Sequence, residues 1–263
     1  MSVTCAPTLT LTALSGVPRI GPGDDIARLL VEALHASGTR LCDGDVVAIT
    51  SKVFSRAHGR FFDVSQIVPS PRAFELGAEI GKDPRVVELI LGESVSISRK
   101  AKNVLIVRHK LGFVSANAGI DLSNSQPGDG REGEGPWALL LPKDPDGDAE
   151  AVRGALAAQF GVRVGVVVTD SHGRPFRLGT VGTAIGVAGL PALFDQVGRP
   201  DLDGRRLEYT ITALADQVAA AADLVAGQAN EGRPFVIVRG LSFPDSVSSA
   251  RALVRPTDQD LYA

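Results

Sequence analysis

Several common functional signatures are missing from this chain. Cysteine is nearly absent: Cys5 and Cys42 are the only two in 263 residues. Two thiols cannot build a disulfide scaffold or a cysteine-rich zinc site, and their scarcity suits a reducing cytoplasm. Each reads as a free thiol. Aromatic residues make up 5%, too few for a base-stacking platform. The net charge is −3 and no long basic run occurs, which argues against nucleic acid as the main partner. No apolar run approaches the roughly 20 residues of a membrane-spanning helix. The opening "MSVTCAPTLTLTAL" has no basic region ahead of a compact apolar stretch, so no secretory signal is expected. The expected location is the cytoplasm.

Familiar catalytic cradles are missing as well. There is no H-E-x-x-H, no C-x-x-C and no G-x-S-x-G, and the four histidines are scattered. "GDGREG" at 128–133 fits G-x-G-x-x-G in letters only. It follows no strand, opens no helix, and carries Asp129 and Glu132, which would repel a pyrophosphate. "GAEIGKD" is one residue short of a phosphate-binding loop, and Asp83 replaces the needed Ser or Thr. A nucleotide enzyme built on this chain would not use a common cradle.

What is present is an ordinary globular composition, 44% hydrophobic and 22% charged. "TLTLTAL" alternates and predicts a first strand. Asp24 or Asp25 can open the helix "DIARLLVEALHASG", closed by Gly38. "GDVVAITSKVFS" is a buried strand running into Ser51 and Lys52. "AFELGAEIGKDPRVVELILGES" predicts two short helices broken at Pro84. "SVSISRKAKNVLIVRHKLGFVSA" predicts two or three strands, and "PWALLLP" another. "DAEAVRGALAAQFG" is a helix ended by Gly161, and "VRVGVVVTDS" a β-branched strand. "LEYTITALADQVAAAADLVAGQ" predicts a long helix, with room for a strand at "RLEYTI", and "PFVIVRGL" closes the set. No strict β-α-β beat appears, so the expected fold is α+β with mixed sheets rather than doubly wound. The chain is expected to form one unit over 1–263, with room for two subdomains.

Three strand ends turn polar. "VVAITSK" leads to Ser51 and Lys52, "GFVSANAGID" to Asp121, and "VGVVVTDS" to Asp170 and Ser171. Loops held by a rigid sheet commonly carry binding groups. A single strand-end Asp is more often a turn start or helix cap. Two of them beside hydroxyls and amides make a magnesium or manganese site worth considering, because hard cations take carboxylate and hydroxyl oxygens alongside substrate phosphates. Arg174 and Arg177 follow Asp170 closely. They are either a solvated loop with ion pairs or an anion clamp for phosphate or carboxylate. "GVPRIGPGDD" is a loop that could hold an anion on backbone amides. Gly227 is a C-cap signal, with Gln228 and Glu231 as surface groups beside it.

The motifs "VPRIGPGDD", "VVAITSKVFSRAHGR", "GFVSANAGIDLSNS", "VVVTDSHGRPFR", "IGVAGL", "ADQVAAAADLVAGQANEGRPFVIVRGL" and "ARALVRPTDQDL" occur in this order. Together they resemble the coenzyme F420:L-glutamate ligase family, including the ligase half of the two-domain mycobacterial enzyme. The resemblance runs from about Leu14 to Leu261. It implies ligation of L-glutamate to the deazaflavin coenzyme precursor, using GTP, magnesium or manganese, and potassium. It implies an acyl phosphate, attacked by the glutamate amine, and later γ-linked extension. It also implies that family's unusual α+β fold and an intertwined homodimer.

Matched position by position, the resemblance makes Asp121 and Asp170 metal ligands and catalytic groups, with Ser171 and Gln228 as further ligands. Val17, Pro18, Arg19 and Ile20 match the guanine-nucleotide loop. Ser51, Arg56 and Asn124 match nucleotide contacts, and Ala226–Arg233, including Gly227, Gln228, Ala229, Asn230 and Glu231, matches the last nucleotide loop. Arg174 and Arg177 stand as the catalytic anion clamp. Departures occur at Ser171, where Thr is frequent, at His172, where an apolar residue is common, and at Phe176, where Trp is frequent. A C-terminal flavin-binding domain is not expected. Two other readings stay open: the same chemistry on a different carboxylate acceptor, and a catalytically silent nucleotide-binding homologue.

Overall fold

The computed structural model describes residues 7–128 and 135–260. Cys5, the stretch 129–133 of the glycine pattern and Leu261 lie outside the described residues. Cys42 is an exposed free thiol. In chain order the strands are β1 (Thr10–Ala13), β2 (Val46–Thr50), β3 (Phe61–Asp63), β4 (Ser94–Ala101), β5 (Val104–His109), β6 (Val114–Ala116), β7 (Trp137–Leu139), β8 (Gly165–Arg174), β9 (Arg177–Ala188), β10 (Phe194–Asp195), β11 (Ile211–Thr212) and β12 (Phe235–Arg239). The α-helices are α1 (Ile26–Ala36), α2 (Ser51–Ala57), α3 (Pro71–Ile80), α4 (Pro84–Glu93), α5 (Pro145–Phe160) and α6 (Leu214–Ala226).

The body is a five-stranded sheet in the order β1-β12-β2-β8-β9. Only β2 and β8 run parallel; the other neighbours are antiparallel. Alternation along the central strands sends side chains to two cores. Val47, Ile49, Val166, Val168, Phe235 and Ile237 pack with α1, α2 and α5, while Val46, Ala48, Val167, Val236 and Val238 pack with α6. Strands buried on both faces must be apolar at every position, which is why "VVAI" and "GVVV" carry continuous runs rather than alternation. α6 is rich in alanine because it sits close on the sheet. At Gly182 of β9, an added Cβ would lie 2.4 Å from the carbonyl oxygen of Ala219.

Between α2 and α5 the chain makes an insertion with its own core. α3, α4 and β5 bury Leu76, Ile80, Val87, Ile90, Leu105 and Val107 together. A three-stranded sheet, β4-β5-β6, and a two-stranded ribbon, β3-β7, complete it. The two helices break at Pro84 as expected. Ser70 and Asp83 cap them, accepting from the amides of Ala73 and Arg85 at 3.2 and 2.8 Å. Each cap is followed by proline in the first turn, where its missing N–H costs nothing.

The architecture is α+β with mixed sheets. Several elements depart from expectation: β3, β9 and β10 form where no strand is expected, and Ser51–Ala57 is a helix rather than the end of a strand. The long helix begins at Leu214, not near Leu207. Thr210, Ile211 and Thr212 are β-branched and favour extended backbone. Ile211 and Thr212 pair with Asp195 and Phe194 instead. α1 is opened by Asp25, which accepts from the Arg28 amide at 3.0 Å, and α5 ends at Gly161 with φ 67°.

Candidate active site

β2 and β8 end at the same edge of the body. Thr50 stands opposite Thr169 in their parallel ladder, so the next residues, Ser51 and Asp170, emerge side by side. The Ser51 hydroxyl donates to Asp170 Oδ1 at 3.3 Å. This wall is held by a central sheet ladder.

The insertion supplies the facing wall. After β6 the chain takes a left-handed turn, with φ of 51° at Asn117, 56° at Ala118 and 64° at Gly119. For residues with a Cβ this costs about 1–2 kcal/mol each. Surrounding structure enforces it: Asn117 Oδ1 accepts from the Leu105 amide at 3.1 Å, and Ala118 is fully buried. Asp121 then makes a two-way backbone bridge with Leu139, at 2.9 and 2.8 Å. A Cβ on Gly119 would meet Leu141 Cδ1 at 2.7 Å and Asp170 Oδ2 at 3.5 Å. Glycine is thus what lets the Asp121 segment approach Asp170.

Between these walls lies a cavity of about 1200 Å³. Its lining contains Val17, Pro18, Arg19, Ile20, Ser51, Arg56, Asp121, Asn124, Asp170, Ser171, Gly227, Gln228, Ala229 and Glu231. The structure therefore gathers nearly every residue singled out in the sequence. Asn230 is not among the lining residues, although its neighbours on both sides are. Arg174 and Arg177 are not brought to the cavity either. They face each other at the tip of the β8–β9 hairpin, where Arg174 Nη2 donates to the Leu178 carbonyl at 3.3 Å. Phe176 is exposed at the same tip.

Arg56 is buried and commits its guanidinium to backbone carbonyls: Ile20 at 2.6 Å, Asn124 at 3.2 Å, Gln126 at 3.0 Å and Pro127 at 3.2 Å. It ties the loop 17–20 to the loop 124–127. Arg19 adds a second tie to Gln126 at 3.1 Å. Glu231 folds back to accept from the Ala229 amide at 2.9 Å, which shapes the loop after α6.

Two further residues in this lining matter: Lys52, noted in the sequence only as a polar strand end, and Asp223, which sequence reasoning missed. Lys52 forms an ion pair with Asp121. Burial pushes the Asp121 carboxyl up, but the Lys52 ammonium and the hydroxyl and amide of Ser123 outweigh it and hold the group below its ordinary range. Asp223 is bonded to Gln228, whose Oε1 accepts from the Ser171 hydroxyl at 2.8 Å. Burial pushes the Asp223 carboxyl up, Gln228 and the Gly182 amide pull it down, and the charge of Asp170 adds to the rise. A signal for Asp223 was available: an acidic residue in the last turn of a helix opposes the helix dipole.

The donor set fits a hard divalent cation. Among the described residues no group of three or more His, Cys, Asp or Glu forms a cage. Magnesium, however, typically binds through one or two carboxylates plus substrate phosphates. Asp170 and Asp223 repel one another through space, and a cation would relieve that repulsion. Ser171 and Gln228 place further oxygens beside them.

The profile of the F420-0:Gamma-glutamyl ligase family matches residues 16–240. The chain is 43% identical over 256 residues to "Coenzyme F420:L-glutamate ligase" of Methanothermobacter thermautotrophicus, covering 97% of this chain and 98% of that protein. It is 44% identical over 260 residues to the protein of that name from Methanopyrus kandleri, covering 97% and 98%. The Archaeoglobus fulgidus protein of that name is 41% identical over 248 residues, covering 94% of each.

Proposed function

The chain belongs to the F420-0:gamma-glutamyl ligase family, and from that premise we propose that it joins L-glutamate to the coenzyme F420 precursor at the large cavity, using GTP and a divalent metal. Its relatives are named as ligases, and this chain is a ligase. The observation that carries the reading is convergence. Segments within 17–20, 51–56, 119–126, 169–171 and 226–233 are far apart in sequence yet line one cavity of about 1200 Å³.

The chemistry takes two steps. The γ-phosphoryl group of GTP passes to a carboxylate oxygen of the precursor, leaving GDP and an acyl phosphate. The glutamate nitrogen then bonds to the acyl carbon as the carbon–oxygen bond to phosphate breaks. The departing hydrogen phosphate takes one ammonium proton and solvent takes the other. Positioning and charge neutralisation supply most of the catalysis in such transfers. Asp121, Asp170, Ser171 and Gln228 would hold magnesium or manganese, with Asp223 orienting Gln228. When bound, the metal neutralises phosphate charge.

The protein's own groups do the rest. The loop 17–20 and Asn124 hold the nucleotide, and Arg56 keeps those two loops in register. Lys52 neutralises Asp121 here and lies within reach of a phosphate in the same cavity. The proposal extends to potassium as an accessory cation, to a homodimer and to a cytoplasmic location. Arg174 and Arg177, remote from the lining, would act only if the hairpin tip meets substrate or a second copy.

The test is a mass-read assay with precursor, L-glutamate, manganese or magnesium, and either GTP or ATP. A gain of one glutamyl unit with GTP, and release of GDP, is expected. No gain with the F420 precursor, but a gain on another carboxylate, would make the chain a ligase of a different acceptor.

A further inference from the structure

Behind Asp170 lies a second cavity of about 240 Å³. His172 is the partition between the two. Its ring lines the second cavity, and its Nε2 lies 3.0 Å from Oδ2 of Asp170, which lines the first. The Phe113 ring backs it, with centroids 4.8 Å apart. Thr183, opposite Asp170 in the β8–β9 ladder, lines the second cavity and donates to the Asp170 carbonyl at 3.2 Å. A molecule in the second cavity would sit one side chain away from the nucleotide cavity.

The lining carries both signs of charge. Arg108 is committed, to Asp260 at 3.3 Å and to the Gly112 carbonyl at 3.2 Å. Arg251 and Arg255 also line the cavity, and among the described residues their guanidinium groups have no ion pair. Asp216 shares the lining, half-buried at the start of α6, with Oδ1 held by the Ala184 amide at 2.9 Å. Phe113, Ile185 and Val254 supply apolar surface to the same lining. Two uncommitted guanidiniums, one carboxylate and a short apolar span match a dicarboxylic amino acid group by group. The volume falls below the roughly 300 Å³ at which sites for drug-sized ligands begin, so a nucleotide or deazaflavin does not fit.

We propose that this second cavity binds the incoming L-glutamate, with Arg251 and Arg255 on its two carboxylates and Asp216 on its ammonium. The inference rests on the ligase reading above and adds a place for the amino acid. The His172 charge acts on Asp216, and the same ring contacts Asp170, so the nitrogen held by Asp216 would be directed towards Asp170 and the acyl group.

Steady-state kinetics and calorimetry test it together. Arg251 and Arg255 are exposed, so Arg251→Gln, Arg255→Gln and the double variant should fold. The double variant should raise KM for L-glutamate roughly ten- to a hundredfold, while KM for the nucleotide stays within about twofold. In calorimetry, Asp216→Asn keeps the Ala184 bond through its amide oxygen. It should lose L-glutamate but retain glutarate, which has the carboxylates and no amine. An unchanged KM for L-glutamate, or a parallel rise in nucleotide KM, overturns the assignment. If the arginine variants spare the first addition and slow only later ones, the cavity holds the growing tail and the assignment is wrong. A wild-type protein that adds no glutamyl unit sinks the ligase reading alone. The calorimetric arm then decides: wild-type binding of L-glutamate that the arginine variants lose supports the site, and no wild-type binding overturns it.

Discussion

The two walls of the large cavity are built in different ways. The wall carrying Ser51 and Asp170 is the end of a parallel strand pair in the centre of the sheet, with both strands buried on both faces. The wall carrying Asp121 and Asn124 is a left-handed turn and loop on the insertion, held from outside by Arg56 and Arg19. Backbone ladders make the first wall stiff without help from side chains. The second depends on a few side-chain ties to hold a conformation it would not otherwise choose. For the proposed reaction, which admits a nucleotide, a precursor and an amino acid, one fixed wall and one that can yield is an advantage.

The largest effect should come from the carboxylates, one on each wall. Asp121→Ala or Asp170→Asn should lower glutamyl addition at least about a hundredfold, as expected for proposed ligands of a cation that neutralises transferring phosphate. Thermal melting should change little for Asp121→Ala, because a loop ligand can go without opening a core cavity. Normal turnover in that variant would remove Asp121 from the metal site.

Next comes the tie between walls. Arg56→Ala leaves four buried or half-buried carbonyls without their charged donor, and should cost about 3 kcal/mol in urea unfolding. Hydrogen exchange should speed up at 119–127 before β2 or β8. Equal loss of protection on both walls would show that they are not independent.

Gly119→Ala should be milder, costing about 1–2 kcal/mol for the left-handed backbone, and more if Leu141 cannot give way. Turnover should fall further than stability does, because the displaced segment carries Asp121. A variant that lost stability but kept full activity would separate the turn from the site.

The smallest effect on turnover is a pH dependence of stability centred on the insertion. Burial, then Arg60 and Lys110, lower the His109 imidazole from 6.5 to about 4. Its Nδ1 accepts from the Leu111 amide at 2.9 Å, which requires the neutral ring. The unfolded chain binds the proton first, so this stability is complete above pH 6.5 and is lost as pH falls towards 4. The slope is at most about 1.4 kcal/mol per pH unit. His109→Gln should flatten it in melts taken from pH 7 to 4.5, and an unchanged slope would assign the acid sensitivity elsewhere.

Much of this was legible in the sequence. β2 and β8 announce themselves by continuous valine and isoleucine, α1 and α5 by their caps, and the α3–α4 break by Pro84. The strand-end residues Ser51, Asp121 and Asp170 stood out because polar groups interrupt apolar runs there. Lys52 stood out only as part of a polar strand end, and Asp223 did not stand out at all. A lysine after a strand or an aspartate in a helix is ordinary until its neighbours are known. Arg174 and Arg177 stood out only because they are near Asp170 in sequence. In a hairpin, a few residues of chain carry a side chain well beyond the sheet edge.

Local pattern determined the elements, since each follows from the period of its own apolar residues and from its own caps and turns. The same pattern marked the strand ends as candidate binding points. Only the tertiary structure decided which of those points share a cavity. The ladder register sets Thr50 beside Thr169, and the Gly119 backbone sets Asp121 against Asp170. Pairing at a distance depends on register and close approach, and neither is written in any single stretch of chain.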